Sequence, residues 1–256
     1  MLFGVCATYD NAEFLKECGY DYIEMNLTAT AGMSDAEFEN CKLTLEKVGI
    51  KALAFNCFFP ATIKLVGPEA DLKEITDYTE KALERAALLG AKTIVLGSGR
   101  SRNINEGFDA SVCEKQFVEV LNTLGDIAKK HGITIVIEPL NKGETNFINS
   151  VPDAIRIANL SSCDNVKALV DFYHFSLENE PDCDITNSNG AISHVHLARG
   201  SADRGVPKEE NIPDLEKWAD LLKKVGYNNK ISIEASATDF RKEIKDVYKL
   251  LEIFNK

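Results

Sequence analysis

The chain has 256 residues, 45% of them hydrophobic, enough to bury one sizeable core and within the length at which an α/β barrel runs as a single domain. Its 40 acidic against 29 basic side chains give a formal net charge of −11, which argues against a nucleic-acid partner, because the phosphate backbone is normally met by a basic face. No apolar run approaches bilayer length, and Met1 leads directly into Leu2-Phe3-Gly4-Val5 without the basic and apolar regions of a secretory signal, so no membrane partner is expected and the expected location is the cytoplasm.

Taken in chain order, short β-branched or apolar runs alternate with longer stretches of helical period, eight times and without a linker. The predicted strands are residues 2–7, 22–26, 51–56, 93–97, 133–138, 168–171, 192–197 and 231–234. Between the third and fourth, Leu72, Ile75, Thr79, Ala82, Ala86 and Leu89 share one helical face and Gly90 follows as a stop. The same glycine-then-strand punctuation recurs at Gly19, Gly49, Gly132 and Gly226. Ile244, Val247, Leu251 and Phe254 then predict a last helix packed outside. Strands alternating with helices imply a parallel sheet. Eight repeats, with no glycine fingerprint after the first strand, favour a (β/α)8 TIM barrel over residues 1–256 rather than a doubly wound open sheet.

In such a barrel the C-terminal strand ends converge on one mouth. Four predicted strands bring metal-ligating groups there: Glu138, Asp171, His196 and Glu234. A carboxylate after a run of apolar strand residues is costly without a neighbouring cation. Any one alone could pair with Lys or Arg at the rim, but four together point to one divalent metal ion. Three carboxylates and an imidazole suit Mn²⁺, Mg²⁺ or Co²⁺, and Zn²⁺ is also admitted. His194, two residues before His196 on the same face, is expected deeper, with a hydrogen-bond partner.

Other features carry less. Gly97-Ser98-Gly99-Arg100-Ser101-Arg102 follows the fourth strand; Arg100 and Arg102 at a barrel mouth could hold a phosphate or carboxylate, or simply pair with the protein's own acids in a solvated loop. Glu24 near the second strand's end suits a structural role or a substrate contact. Cys57-Phe58-Phe59-Pro60 offers loop packing, a sugar-facing wall or an oligomer contact. His131 is expected at helix-end carbonyls, and Trp218 in the core. The seven cysteines are scattered singly without CxxC pairs, which reads as reduced, mostly buried thiols.

Several runs resemble a known family. Glu138-Pro139-Leu140-Asn141 with Glu144-Thr145-Asn146, then Asp171-Phe172-Tyr173-His174, His194-Val195-His196, Asp203-Arg204-Gly205-Val206-Pro207 and Ile233-Glu234 resemble, in order, the ketose 3-epimerases of the tagatose and psicose type. These belong to the xylose-isomerase-like and endonuclease IV superfamily. The resemblance implies metal binding by Glu138, Asp171, His196 and Glu234, with Glu138 and Glu234 as the catalytic pair. It further implies that Glu144 and His174 hold the substrate's hydroxyl and carbonyl end and that Arg204 steadies an oxygen near the reacting carbon. The step from His196 to Arg204 is longer than is usual in that family, so Arg199 is a rival for this last role. The implied partner is a sugar or sugar phosphate, and the implied assembly a homodimer or homotetramer. Epimerisation at C3 of a ketose is the leading activity, with an aldose–ketose or hydroxypyruvate-type isomerase or a dehydratase as alternatives, since one enediolate feeds all of them. An endonuclease IV-type phosphodiesterase would need more than this chain's four histidines, and a non-catalytic sugar-binding barrel would not need both proton-transfer glutamates.

Overall fold

The computed structural model describes residues 1–255. Eight parallel strands close into a barrel in chain order: β1 Leu2–Cys6, β2 Tyr22–Asn26, β3 Lys51–Asn56, β4 Thr93–Leu96, β5 Thr134–Ile137, β6 Val166–Asp171, β7 Ile192–Leu197 and β8 Lys230–Ile233. Every predicted strand is present. Glu138 and Glu234 stand one residue beyond β5 and β8. Their N–H groups still donate to the neighbouring strands, to Leu96 O at 3.3 Å and to Leu197 O at 3.1 Å. The ladder thus carries both carboxylates onto the rim.

The helices cover the barrel as their periodicity requires. In Leu72–Leu88 the side chains of Ile75, Thr79, Ala82, Leu83 and Ala86 are buried, and Asp71 caps the N-terminus by accepting from the N–H groups of Lys73 and Glu74. The last predicted helix is α-helical over Phe240–Tyr248 and tightens to a 3-10 helix over Lys249–Asn255; Ile244, Val247, Leu251 and Phe254 are buried through both. Trp218 is in the core, stacked on Phe172 with ring centroids 4.6 Å apart. Among the described residues no helix is long and apolar enough to cross a membrane.

Two separate cores result. The larger lies between barrel and helices, and a small one, Val95, Val136 and Leu169, is isolated from it. These three alternate with the outer residues of β4 to β6, so they fill the barrel's interior on that side. The other side of the interior is polar, with Tyr22, Glu24, His194 and Ser232 all fully buried.

Candidate active site

The mouth gathers the four expected ligands. One atom each of Glu138, Asp171, His196 and Glu234 lies within 4.8 Å of all the others. His196 Nδ1 is 2.8 Å from Glu234 Oε2 and 3.1 Å from Glu138 Oε1. Asp171 Oδ1 accepts the Tyr173 N–H at 2.8 Å, which caps the helix Phe172–Leu177 and fixes the carboxylate. Asn56, at the end of β3, donates from Nδ2 to Glu234 Oε1 at 2.9 Å. Gly97 makes room for Glu138: a Cβ there would collide with its Oε2.

The cluster is short of positive charge. Burial, and next the Glu234 carboxylate, push the Glu138 carboxyl above its ordinary range. Burial also opposes ionisation of Glu234, but His196 and Arg204 outweigh it and hold that carboxyl low. His196 is raised well above its ordinary value: burial works against the cation, and Glu234 and Glu24 overcome it. Three facing carboxylates with one imidazole therefore fit a divalent cation of the oxygen-preferring kind, which would offset the burial and the repulsion that oppose ionisation of Glu138.

Arg204 and Arg199 separate in space. Arg204 Nη2 donates to Asp171 Oδ2 at 2.7 Å and also to Glu234 Oε2, with its guanidinium over the Tyr173 ring. Its φ of +46° and the Ser236 N–H donating to its carbonyl at 2.8 Å turn it inward. Arg199 is instead paired with Asp203 and lies 3.7 Å from Glu210. The longer step from His196 is taken up by this surface loop, and Arg204 is the arginine at the site.

His174 is buried beside Asp171, its Nε2 3.6 Å from Asp171 Oδ2. Its Nδ1 accepts the Asn141 N–H at 3.2 Å, which leaves Nε2 to carry the proton. Asn141 also donates from Nδ2 to Glu144 Oε1 at 2.9 Å. Neither Asn56 nor Asn141 was assigned a role from the sequence. Asn141 lies inside the Glu138-Pro139-Leu140-Asn141 run and Asn56 at a predicted strand end, where the rule used for the carboxylates applies equally to an amide.

Two expectations need correction. Arg102 is not a mouth residue: Gly99–Arg102 forms a single helical turn that turns Arg102 inward, fully buried, with Nη2 donating to Glu138 O at 2.7 Å. Burial lowers its pKa to about 10. Arg100 does face the mouth, exposed. The second correction concerns the loop as solvated and open: Ser98 Oγ accepts the Phe59 N–H at 2.9 Å, and Ser101 Oγ donates to Pro60 O at 3.0 Å, so it is tied to the preceding loop. His131 ends the helix Ala110–Lys130, as expected.

The cleft above the cluster has a volume of about 300 Å³ and is walled by Cys57, Phe59 and Leu140 on its apolar side and by Arg100, Glu144 and Arg204 on its polar side. A recess of about 600 Å³ at the opposite end, beside Met1, Tyr227 and Phe254, contains neither of the two donor-atom groups found among the described residues.

The model of a family described as a xylose isomerase-like TIM barrel matches residues 12–253. The D-psicose 3-epimerase of Agrobacterium fabrum is 24% identical over 229 residues, 87% of this chain and 77% of that protein. The inosose isomerase of Bacillus licheniformis is 24% identical over 262 residues, 94% of this chain and 91% of that protein. The crystal structure of the D-psicose 3-epimerase of Clostridium cellulolyticum with D-tagatose superposes with a TM-score of 0.86 at 19% identity, covering 100% of this chain and 98% of that one.

Proposed function

The chain belongs to the xylose isomerase-like TIM barrel family and is an enzyme of the isomerase and epimerase class, and from that premise we propose that it is a divalent-metal-dependent ketose 3-epimerase working through an enediolate. The observation that carries the reading is the convergence of Glu138, Asp171, His196 and Glu234 within 4.8 Å beneath a monosaccharide-sized cleft. Glu138, Asp171, His196 and Glu234 would hold the ion, which when bound polarises a carbonyl oxygen and stabilises the charge that develops on it.

The chain's own residues supply the rest. Glu138 follows β5 and Glu234 follows β8, so a sugar lying across the cluster meets a carboxylate from each side. One removes the proton from the carbon next to the carbonyl, and the other returns a proton to the opposite face, which inverts that centre. Arg204, anchored on Asp171, and His174, with Nε2 as donor, are placed to bind substrate oxygens near the reacting carbon; Glu144 takes a hydroxyl further out. Phe59 and Leu140 offer the sugar's carbon face an apolar wall.

Isomerisation that moves the carbonyl to the neighbouring carbon, aldose–ketose interconversion among its forms, is the second reading, favoured by the similarity to an inosose isomerase over 94% of this chain. It requires the same proton abstraction with return to the neighbouring carbon on one side. Proton NMR of free ketoses, ketose phosphates and inososes in D2O, with Mn²⁺-treated protein and a chelated control, separates the two. Metal-dependent loss of the C3 proton signal with appearance of the epimer supports the epimerase; a product with its carbonyl moved to the neighbouring carbon, an aldose from a ketose or the positional isomer of an inosose, transfers the assignment to the isomerase; no exchange on any compound rejects both.

A further inference from the structure

The polar half of the barrel interior has a single organiser. Glu24 Oε1 lies 2.9 Å from His196 Nε2, Oε2 lies 2.9 Å from His194 Nε2, and Oε2 also accepts the Ser232 hydroxyl. Tyr22 Oη stands 2.7 Å behind Ser232 Oγ and completes the row. A carboxylate at this depth is tolerated only when its oxygens are met by donors, and here three donors meet two oxygens. We infer that Glu24 is a positioning residue that keeps the Nε2–H of His196 turned to itself, so that Nδ1 is the nitrogen presented to the ion when one is bound; the inference rests on the function proposed above.

The two ends of one imidazole carry the argument. His196 Nε2 points at Glu24, while Nδ1 points at Glu138 and Glu234. A ring with a dedicated acceptor behind one nitrogen keeps its proton there and offers the other nitrogen to a cation, and the outer carboxylate raises the basicity of the ligand. His194 occupies the second oxygen of Glu24, which stops the carboxylate from swinging away. His194 Nδ1 is buried without a partner, and nothing in its surroundings makes it a ligand. Cys6 forms a second group of close donor atoms with Glu24 and His196. Because the His196 Nε2 proton and both Glu24 oxygens are already engaged, that group is filled by hydrogen bonds and the chain takes one ion, not two.

The test is a competitive Mn²⁺ titration of the wild type and Glu24→Gln, with circular dichroism to verify folding, together with long-range ¹H–¹⁵N NMR of the Mg²⁺-loaded wild type. The expected results are one ion per chain, an affinity about 10- to 100-fold weaker in the variant, and the His196 proton on Nε2. Equal affinity in a folded variant, two ions in the wild type, or a proton on His196 Nδ1 each overturns the inference while leaving the proposed function in place. A wild type that binds no divalent ion overturns both. If the variant does not fold, the wild-type tautomer decides alone.

Discussion

Arg102, wholly buried, donates to the backbone carbonyl of Glu138 at 2.7 Å, whereas Arg100, two residues earlier in the same helical turn, is exposed on the cleft wall with its guanidinium unpaired among the described residues. The two arginines should therefore fail differently. Arg102→Ala removes a charge-assisted hydrogen bond and opens a cavity behind a proposed ligand, at a cost of about 2–4 kcal/mol. It should lower the melting temperature and turnover of neutral and anionic substrates alike. Arg100→Ala should leave stability within about 0.5 kcal/mol and selectively weaken phosphorylated or acidic substrates, if the enzyme takes them. An unchanged ratio of phosphorylated to free-sugar turnover in Arg100→Ala removes that side chain from substrate recognition.

Glu138→Gln and Glu234→Gln keep the shape of each side chain and remove its ability to accept the substrate proton. Both variants should fold, and each should abolish solvent deuterium exchange at the carbon next to the carbonyl, a loss of at least about 10²-fold for a missing acid–base group. Exchange at the wild-type rate in either variant would exclude the two-carboxylate mechanism. Exchange that survives in one variant without net epimerisation would instead identify the residue that returns the proton.

A centre built from opposing carboxylates should also report on the ion through stability. The ion binds the folded chain in preference to the unfolded one, so saturation at a hundred times the dissociation constant adds about 2.7 kcal/mol. Thermal melts in chelator and in rising Mn²⁺ should shift upward with concentration, and Asp171→Asn, which alters a buried proposed ligand, should flatten that response. A wild-type melting curve indifferent to both chelator and Mn²⁺ would count against the centre.

The strands and the convergence of four rim residues were legible because both follow from periodicity: a strand's last inward position is a place where a carboxylate needs a reason. The same rule could not separate Arg100 from Arg102. One turn of helix over Gly99–Arg102 rotates one outward and the other inward, and four residues carry no periodic signal. Nor could spacing decide between Arg199 and Arg204, because the choice is made by ion pairs of Arg199 to Asp203 in the intervening loop and to Glu210 beyond it. Glu24 was visible as an inward acid, but its two histidine partners lie 170 and 172 residues away and its serine partner 208, a pairing that only barrel closure creates.

Away from the mouth, Glu180 gives a pH dependence whose sign is fixed. Its Oε2 accepts the Val151 N–H at 2.7 Å at the start of the helix Val151–Leu160. Burial, and next the neighbouring Asp184 and Asp153, raise its pKa to about 7. The unfolded chain would release this proton near pH 4.3, so between about pH 4.3 and 7 the folded state holds more protons than the unfolded one. Stability linked to Glu180 is then fully present below the unfolded value, falls as pH rises through about 7, and is constant above it. Partial exposure and the favourable charge–helix contact reduce the effect to about 1–2 kcal/mol. Glu180→Gln keeps an acceptor for Val151 and should be more stable than the wild type at pH 8, by an amount that vanishes near pH 4.5. Urea unfolding of both proteins across that range checks it, and a difference between them that does not change with pH would show that Glu180 titrates alike in the folded and unfolded chains.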